Sequence, residues 1–107
     1  MDTFVFQTTT YLNVYLPSRA TLAAKMGNVY AEYGESWSEV GHNSVVFIHV
    51  IVSRYSSEAI RVRPESSDTP LVDNNGNAID GFDMGKGDCA TFAYFNSNWY
   101  IFNRMYT

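Results

Sequence analysis

The residues best suited to nucleophilic or metal chemistry are His42, His49 and Cys89. A structural or catalytic zinc site needs three or four ligands at short, characteristic spacings, and two scattered histidines with one cysteine do not supply them. A Cys–His pair would be a nucleophile with its base. Cys89, however, opens the apolar run Cys89 to Phe95, where a free cysteine reads as a small buried hydrophobe. His49 interrupts the apolar run Val45 to Val52 and reads as a hydrogen-bonded core or interface histidine. Asp73, Asn75 and Asn77 alternate like the first ligands of a calcium loop. The sixth and twelfth places of such a loop need glycine and a bidentate acid, and here they are Ala78 and Met84. The segment therefore reads as a hairpin turn. There is no Gly-x-Ser-x-Gly elbow, no phosphate loop and no His-Glu-x-x-His. The expectation is a protein that is not an enzyme and uses neither metal nor cofactor.

Binding chemistry has better candidates. Arg61, Arg63 and Arg104 each fall at an alternating strand position and could form a basic patch; ordinary solvated strand surface is the plainer alternative. Arg63 and Arg104 are the best polar interface candidates, because arginine suits interfacial ion pairs. Tyr30, Tyr33 and Trp37 sit at three- and four-residue steps in a stretch whose glycine and serines weaken a helix, so Val29 to Val40 reads as an irregular excursion open to β pairing, whose aromatics would be exposed in a receptor-binding module. In the last run, Trp99, Ile101, Asn103 and Met105 alternate with Tyr100, Phe102, Arg104 and Tyr106. With Trp99 leading the core face, the second set points outward. Tyrosine and arginine dominate binding hot spots, so this row is a candidate docking face. The alternative is that the 27–43 excursion folds back and covers it.

The elements that must carry these residues are short and mostly extended. Leu12, Val14 and Leu16 alternate with Tyr11, Asn13 and Tyr15, a period of two that marks a half-buried strand stopped by Pro17. Ser18 to Met26 fits a short helix with Ser18 as N-cap and Gly27 beyond its end. Val45 to Val52 is β-branched and apolar on both sides, which calls for cover on both, from a second sheet and a loop or from a neighbouring subunit. Ile60 and Val62 alternate with Arg61 and Arg63. Turn signals then recur every 8–12 residues or so, ending in a hairpin around Asn96-Ser97-Asn98. The pattern predicts a single domain over residues 1–107, all-β, an antiparallel β-sandwich or jelly-roll-like fold of about seven or eight strands. The Trp99 indole should lie in the core against the 45–52 strand.

Composition narrows the function. At 107 residues and a formal net charge of −4, the chain lacks the positive stripe that nucleic-acid binding requires. Its longest apolar run is too short to span a bilayer, and no basic leader precedes it. Charged residues are 17% and aromatics 16%. So small an interior cannot hide every ring, and exposed tyrosine and tryptophan favour assembly. The single cysteine excludes an intrachain disulfide.

Several ordered pieces carry a resemblance: Leu16-Pro17, Ala23-Ala24-Lys25-Met26-Gly27, Val45 to Ile51, Ile60-Arg61-Val62-Arg63-Pro64, Ile79-Asp80-Gly81, Gly87-Asp88-Cys89-Ala90-Thr91-Phe92 and Asn98-Trp99-Tyr100-Ile101. In this order, from about Tyr11 to Asn103, the chain resembles the small β-sandwich modules of tailed-bacteriophage virion proteins, which include capsid-decoration (cement), head-fibre and tail-fibre modules. Cys89 replaces the family's usual small hydroxyl residue, and the 27–43 link is longer and more aromatic. The chain carries no shaft sequence on either side, which fits a free-standing decoration protein better than a fibre tip. The resemblance implies a capsid-decoration protein made in the host cytoplasm and placed on the outer capsid surface. Its partners would be the major capsid protein and itself, as a homotrimer, with no nucleic acid and no membrane. A tail-fibre or receptor-binding module is the alternative, and a small phage inhibitor of a host enzyme is a third.

Overall fold

A computed structural model of the chain describes residues 2–25 and 46–105, with side chains described over 3–22 and 46–101. Within these stretches lie nine strands and one short helix: β1 (Asp2–Phe6), β2 (Leu12–Leu16), α1 (Arg19–Lys25), β3 (Val46–Val52), β4 (Ile60–Pro64), β5 (Leu71–Val72), β6 (Ala78–Ile79), β7 (Phe82–Met84), β8 (Cys89–Phe95) and β9 (Asn98–Met105). The fold is all-β and sandwich-like. A six-stranded sheet runs β1-β3-β8-β9-β5-β6, and a three-stranded sheet runs β2-β4-β7.

Both sheets are mixed, where purely antiparallel pairing was expected. β1 pairs β3, β2 pairs β4 and β5 pairs β9 in parallel; the other pairings are antiparallel. The reason is visible in the connections. The chain passes from β1 in the large sheet to β2 in the small one, returns at β3, and crosses again to β4. Its first strands thus meet later ones travelling the same way.

The core is the set of inward residues that period two selects. Leu16, Ile48, Val50, Val52, Ile60, Val62, Leu71, Met84, Phe92, Tyr94 and Trp99 are buried together. Phe82 of β7 meets Phe92 of β8 edge-on, with ring centroids 6.1 Å apart, which ties the small sheet to the large one. Trp99 is fully buried in the cluster that also holds Ile48, Val50 and Val52. The indole Nε1 donates to the Pro17 carbonyl at 2.8 Å, and the Trp99 backbone N–H donates to Pro70 O at 2.8 Å.

Local chemistry sets the connections. Ser18 caps α1 as its sequence predicts: the hydroxyl accepts from Thr21 N–H at 3.2 Å. The Ser18 N–H donates to Glu65 Oε1 at 2.8 Å, and Arg19 N–H to Thr69 Oγ1 at 2.9 Å, so the 65–69 loop anchors the helix start. Asp73 closes the β5–β6 hairpin by accepting from Asn75 and Asn77 N–H, each at 2.9 Å, while Gly76 adopts φ 83° there. The β8–β9 hairpin turns on Asn96 (φ 51°) and Ser97 (φ 67°), both left-handed as a tight two-residue loop requires.

Candidate functional site

Surface chemistry is divided between the outer faces of the two sheets. On the three-stranded sheet, β4 presents Arg61 and Arg63 opposite the buried Ile60 and Val62, as alternation dictates. The register places Asn13 beside Arg61, Arg61 beside Asp83, and Tyr15 beside Arg63. Arg61 Nη1 and Tyr11 Oη both donate to Asp83 Oδ1, each at 3.0 Å. The hydrogen bond it donates to Asp83 holds the Arg61 guanidinium protonated beyond its usual range. Partial desolvation, then the bond to Asp83, raises the Tyr11 phenol above 10.0. Arg63 Nε donates to the Asp80 carbonyl at 3.3 Å. Tyr15 remains exposed beside it.

On the six-stranded sheet the outward positions are Val5 of β1, Phe47, His49 and Ile51 of β3, Thr91 and Ala93 of β8, and Tyr100 of β9. They form cross-strand rows: Phe47–Ala93–Tyr100, His49–Thr91, and Val5–Ile51–Cys89. His49 Nδ1 and Thr91 Oγ1 share a 2.7 Å hydrogen bond. The hydrogen bond expected for His49 is therefore present, on the half-buried outer face of the sheet rather than in the core. Cys89 lies diagonally across the same face from His49, with Ile51 as its register partner. The 45–52 segment was expected to be covered on both sides. Its inward residues are buried, but Ile51 is 39% exposed, with Tyr100 38% and Val5 64% exposed on the same face. Among the described residues no three His, Cys, Asp or Glu side chains gather as a metal site would require, and no helix is long and apolar enough to cross a membrane.

The residues singled out from the sequence are dispersed. Arg61 and Arg63 belong to β4 of the small sheet, whereas Arg104 belongs to β9 of the large one, so the three do not line one sheet. Tyr100 faces outward as alternation requires. Phe102 and Arg104 lie in β9, but their side chains are outside the described ones; Tyr106, Tyr30, Tyr33 and Trp37 lie outside the described residues. The β9 backbone carries a bulge: Ile101 pairs Phe92 and Asn103 pairs Thr91, so Phe102 has no partner in β8 and Arg104 pairs Ala90. A single alternation does not continue through a bulge, so the two-face division expected for this strand extends only to Ile101. The Tyr11–Asp83–Arg61 cluster was not visible in the sequence, because its members are contributed by β4, β7 and the lead into β2.

Among the described residues the two sheets thus offer outer faces of different chemistry, one mixing Val5, Ile51 and Tyr100 with His49 and Thr91, the other setting tyrosines among charged and amide groups. Comparison of the chain with protein-family models, with curated proteins and with solved structures finds no match.

Proposed function

We propose that the protein is a non-enzymatic docking module, and that its setting is the outer capsid surface of a tailed bacteriophage, where it acts as a decoration protein. The observation that carries the docking reading is the exposed apolar pair Val5–Ile51 on the outer face of the six-stranded sheet, with Tyr100 also exposed two cross-strand rows away. Apolar side chains grouped on an outer sheet face favour burial against a partner. The capsid setting rests on the ordered motifs from Leu16-Pro17 to Asn98-Trp99-Tyr100-Ile101. Each copy would add a modest interface to the major capsid protein, and stabilisation would follow from mass action over many copies.

The test is the protein's copy number on purified virions, measured by quantitative mass spectrometry. Hundreds per particle support decoration. Absence from the particle overturns it and favours an inhibitor of a host enzyme. A few per particle would favour the second reading, recognition of a host surface by a tail part. The outer face of the small sheet supports that reading, since it exposes Tyr11 and Tyr15 among Asn13, Arg61, Arg63 and Asp83.

A further inference from the structure

Edge strands present unpaired backbone groups and invite pairing with another chain, so proteins usually blunt them. The described edges differ in how far this is done. β6 has two residues, and β7 has three with the ion-paired Asp83 at its centre. β2 carries Asn13 and runs into Pro17. β1 is five residues, Asp2-Thr3-Phe4-Val5-Phe6, without proline, glycine or lysine.

The backbone of β1 shows which groups point away from β3. Ser53 N–H donates to Phe6 O at 2.8 Å and Ser57 N–H to Thr8 O at 3.0 Å, both on the β3 side. A strand residue points its N–H and C=O to the same side, and successive residues point to opposite sides. Phe4 and Phe6 therefore bond towards β3, and Thr3 and Val5 aim their N–H and C=O away from the sheet. Each side-chain surface of this edge carries an open apolar residue: Phe4 is 47% exposed on the core side, and Val5 is 64% exposed on the outer side beside Thr3.

We infer that the β1 edge pairs with the β1 edge of a second copy, antiparallel about a two-fold axis through Phe4. An added strand must bring an apolar residue to each surface to cover Phe4 and Val5, and β1 itself does so with Phe4 and Val5. The strand spans residues 2–6, so its centre is Phe4. Centring the two-fold there sets Thr3 opposite the partner's Val5. These are the residues with outward backbone groups, as a hydrogen-bonded antiparallel pair requires. Phe4 meets the partner's Phe4 as the close, non-hydrogen-bonded pair. Period two then keeps the core side of one sheet continuous with that of the other. An isologous contact of this kind closes at two copies, which differs from the trimer that the family resemblance implies. The inference does not depend on the capsid setting.

Two variants test it. Val5→Pro removes an outward N–H that the β1–β3 ladder does not use, and proline is tolerated on an edge strand. Light scattering across a concentration series should show dimer for the unmodified chain and at least a tenfold weaker dimer for Val5→Pro, with the monomer's thermal midpoint unchanged. In a Cys89→Ser background, Phe4→Cys should oxidise to a disulfide-linked dimer, because non-hydrogen-bonded pairs bring Cβ atoms within about 5.5 Å. Val5→Cys should crosslink far less. A chain that stays monomeric at millimolar concentration, a dimer indifferent to Val5→Pro, or equal crosslinking at both positions would overturn the inference. So would a lowered monomer midpoint for Val5→Pro, which would mean the edge is already paired within one chain.

Discussion

Trp99 Nε1 donates to the Pro17 carbonyl at 2.8 Å, and this bond fastens β9 of the large sheet to the end of β2 in the small one. The indole also lies against Tyr94, with centroids 5.6 Å apart, inside the fully buried cluster. One side chain thus fills the core and ties the two sheets at the point where the helix begins.

Replacing Trp99 by Phe keeps an aromatic body but strands the Pro17 carbonyl and leaves a small void. The expected loss is about 2 kcal/mol, from an unmet hydrogen bond and a modest cavity. Urea denaturation should show a lower midpoint with an unchanged slope. A midpoint equal to that of the unmodified protein would mean that the bond contributes nothing to joining the sheets.

The helix start offers a second measurement. Ser18→Ala removes the oxygen that accepts Thr21 N–H while leaving the Ser18 backbone bond to Glu65 in place. The helix is only seven residues long, too short to persist without its cap and its packing. The expected cost is about 1 kcal/mol, read from thermal unfolding. An unchanged midpoint would show that the 65–69 loop alone holds the turn.

How much of this was legible follows the kind of signal each feature leaves. Period two in Leu12–Leu16 and Ile60–Arg63 identified faces correctly, because a buried face selects apolar residues at every second place. It said nothing of neighbours, so the parallel pairings of β1 with β3 and β2 with β4 were invisible. Ile79-Asp80-Gly81-Phe82 reads as one strand, yet Ile79 ends β6 in the large sheet and Phe82 starts β7 in the small one. The break falls at Gly81, where an added Cβ would lie 2.6 Å from Arg61 Nε, so a side chain there would displace the Arg61 side chain. The bulge at Phe102 left no trace either, since counting by twos assumes an unbroken ladder. Asp83 attracted no attention in the sequence because its partners, Tyr11 and Arg61, come from distant parts of the chain.

That cluster predicts a titration. The Tyr11 phenol is raised above 10.0 by partial desolvation and by its bond to Asp83. A raised folded value favours the neutral phenol in the folded state. Its contribution is therefore fully present below the unfolded value near 10 and is lost as pH rises through the folded one. Asp83→Asn removes the carboxylate charge and should move the Tyr11 titration down. Phenolate absorbance, with Tyr11→Phe as the subtraction control, reads the shift. A Tyr11 titration that does not change in Asp83→Asn would refute the coupling.

The docking face can be separated from the core by the exposure of its residues. Ile51 and Tyr100 lie on the outer face of the large sheet, opposite in direction to Val50 and Trp99, which are buried. Ile51→Thr keeps a β-branched side chain suited to a strand, and Tyr100→Ala removes a ring that is partly in water. Both should lower the unfolding free energy by no more than about 1 kcal/mol, as surface substitutions away from core cavities do. If the face docks, the double variant should lose at least tenfold in occupancy on virions while its circular dichroism and thermal midpoint stay close to those of the unmodified chain. The size of that loss is reasonable because two partly exposed apolar groups that become fully buried supply on the order of 1–3 kcal/mol. Unchanged occupancy would remove this face from the docking surface. A double variant that unfolds instead would show that Ile51 and Tyr100 serve the core of the single chain, and this face would no longer support docking.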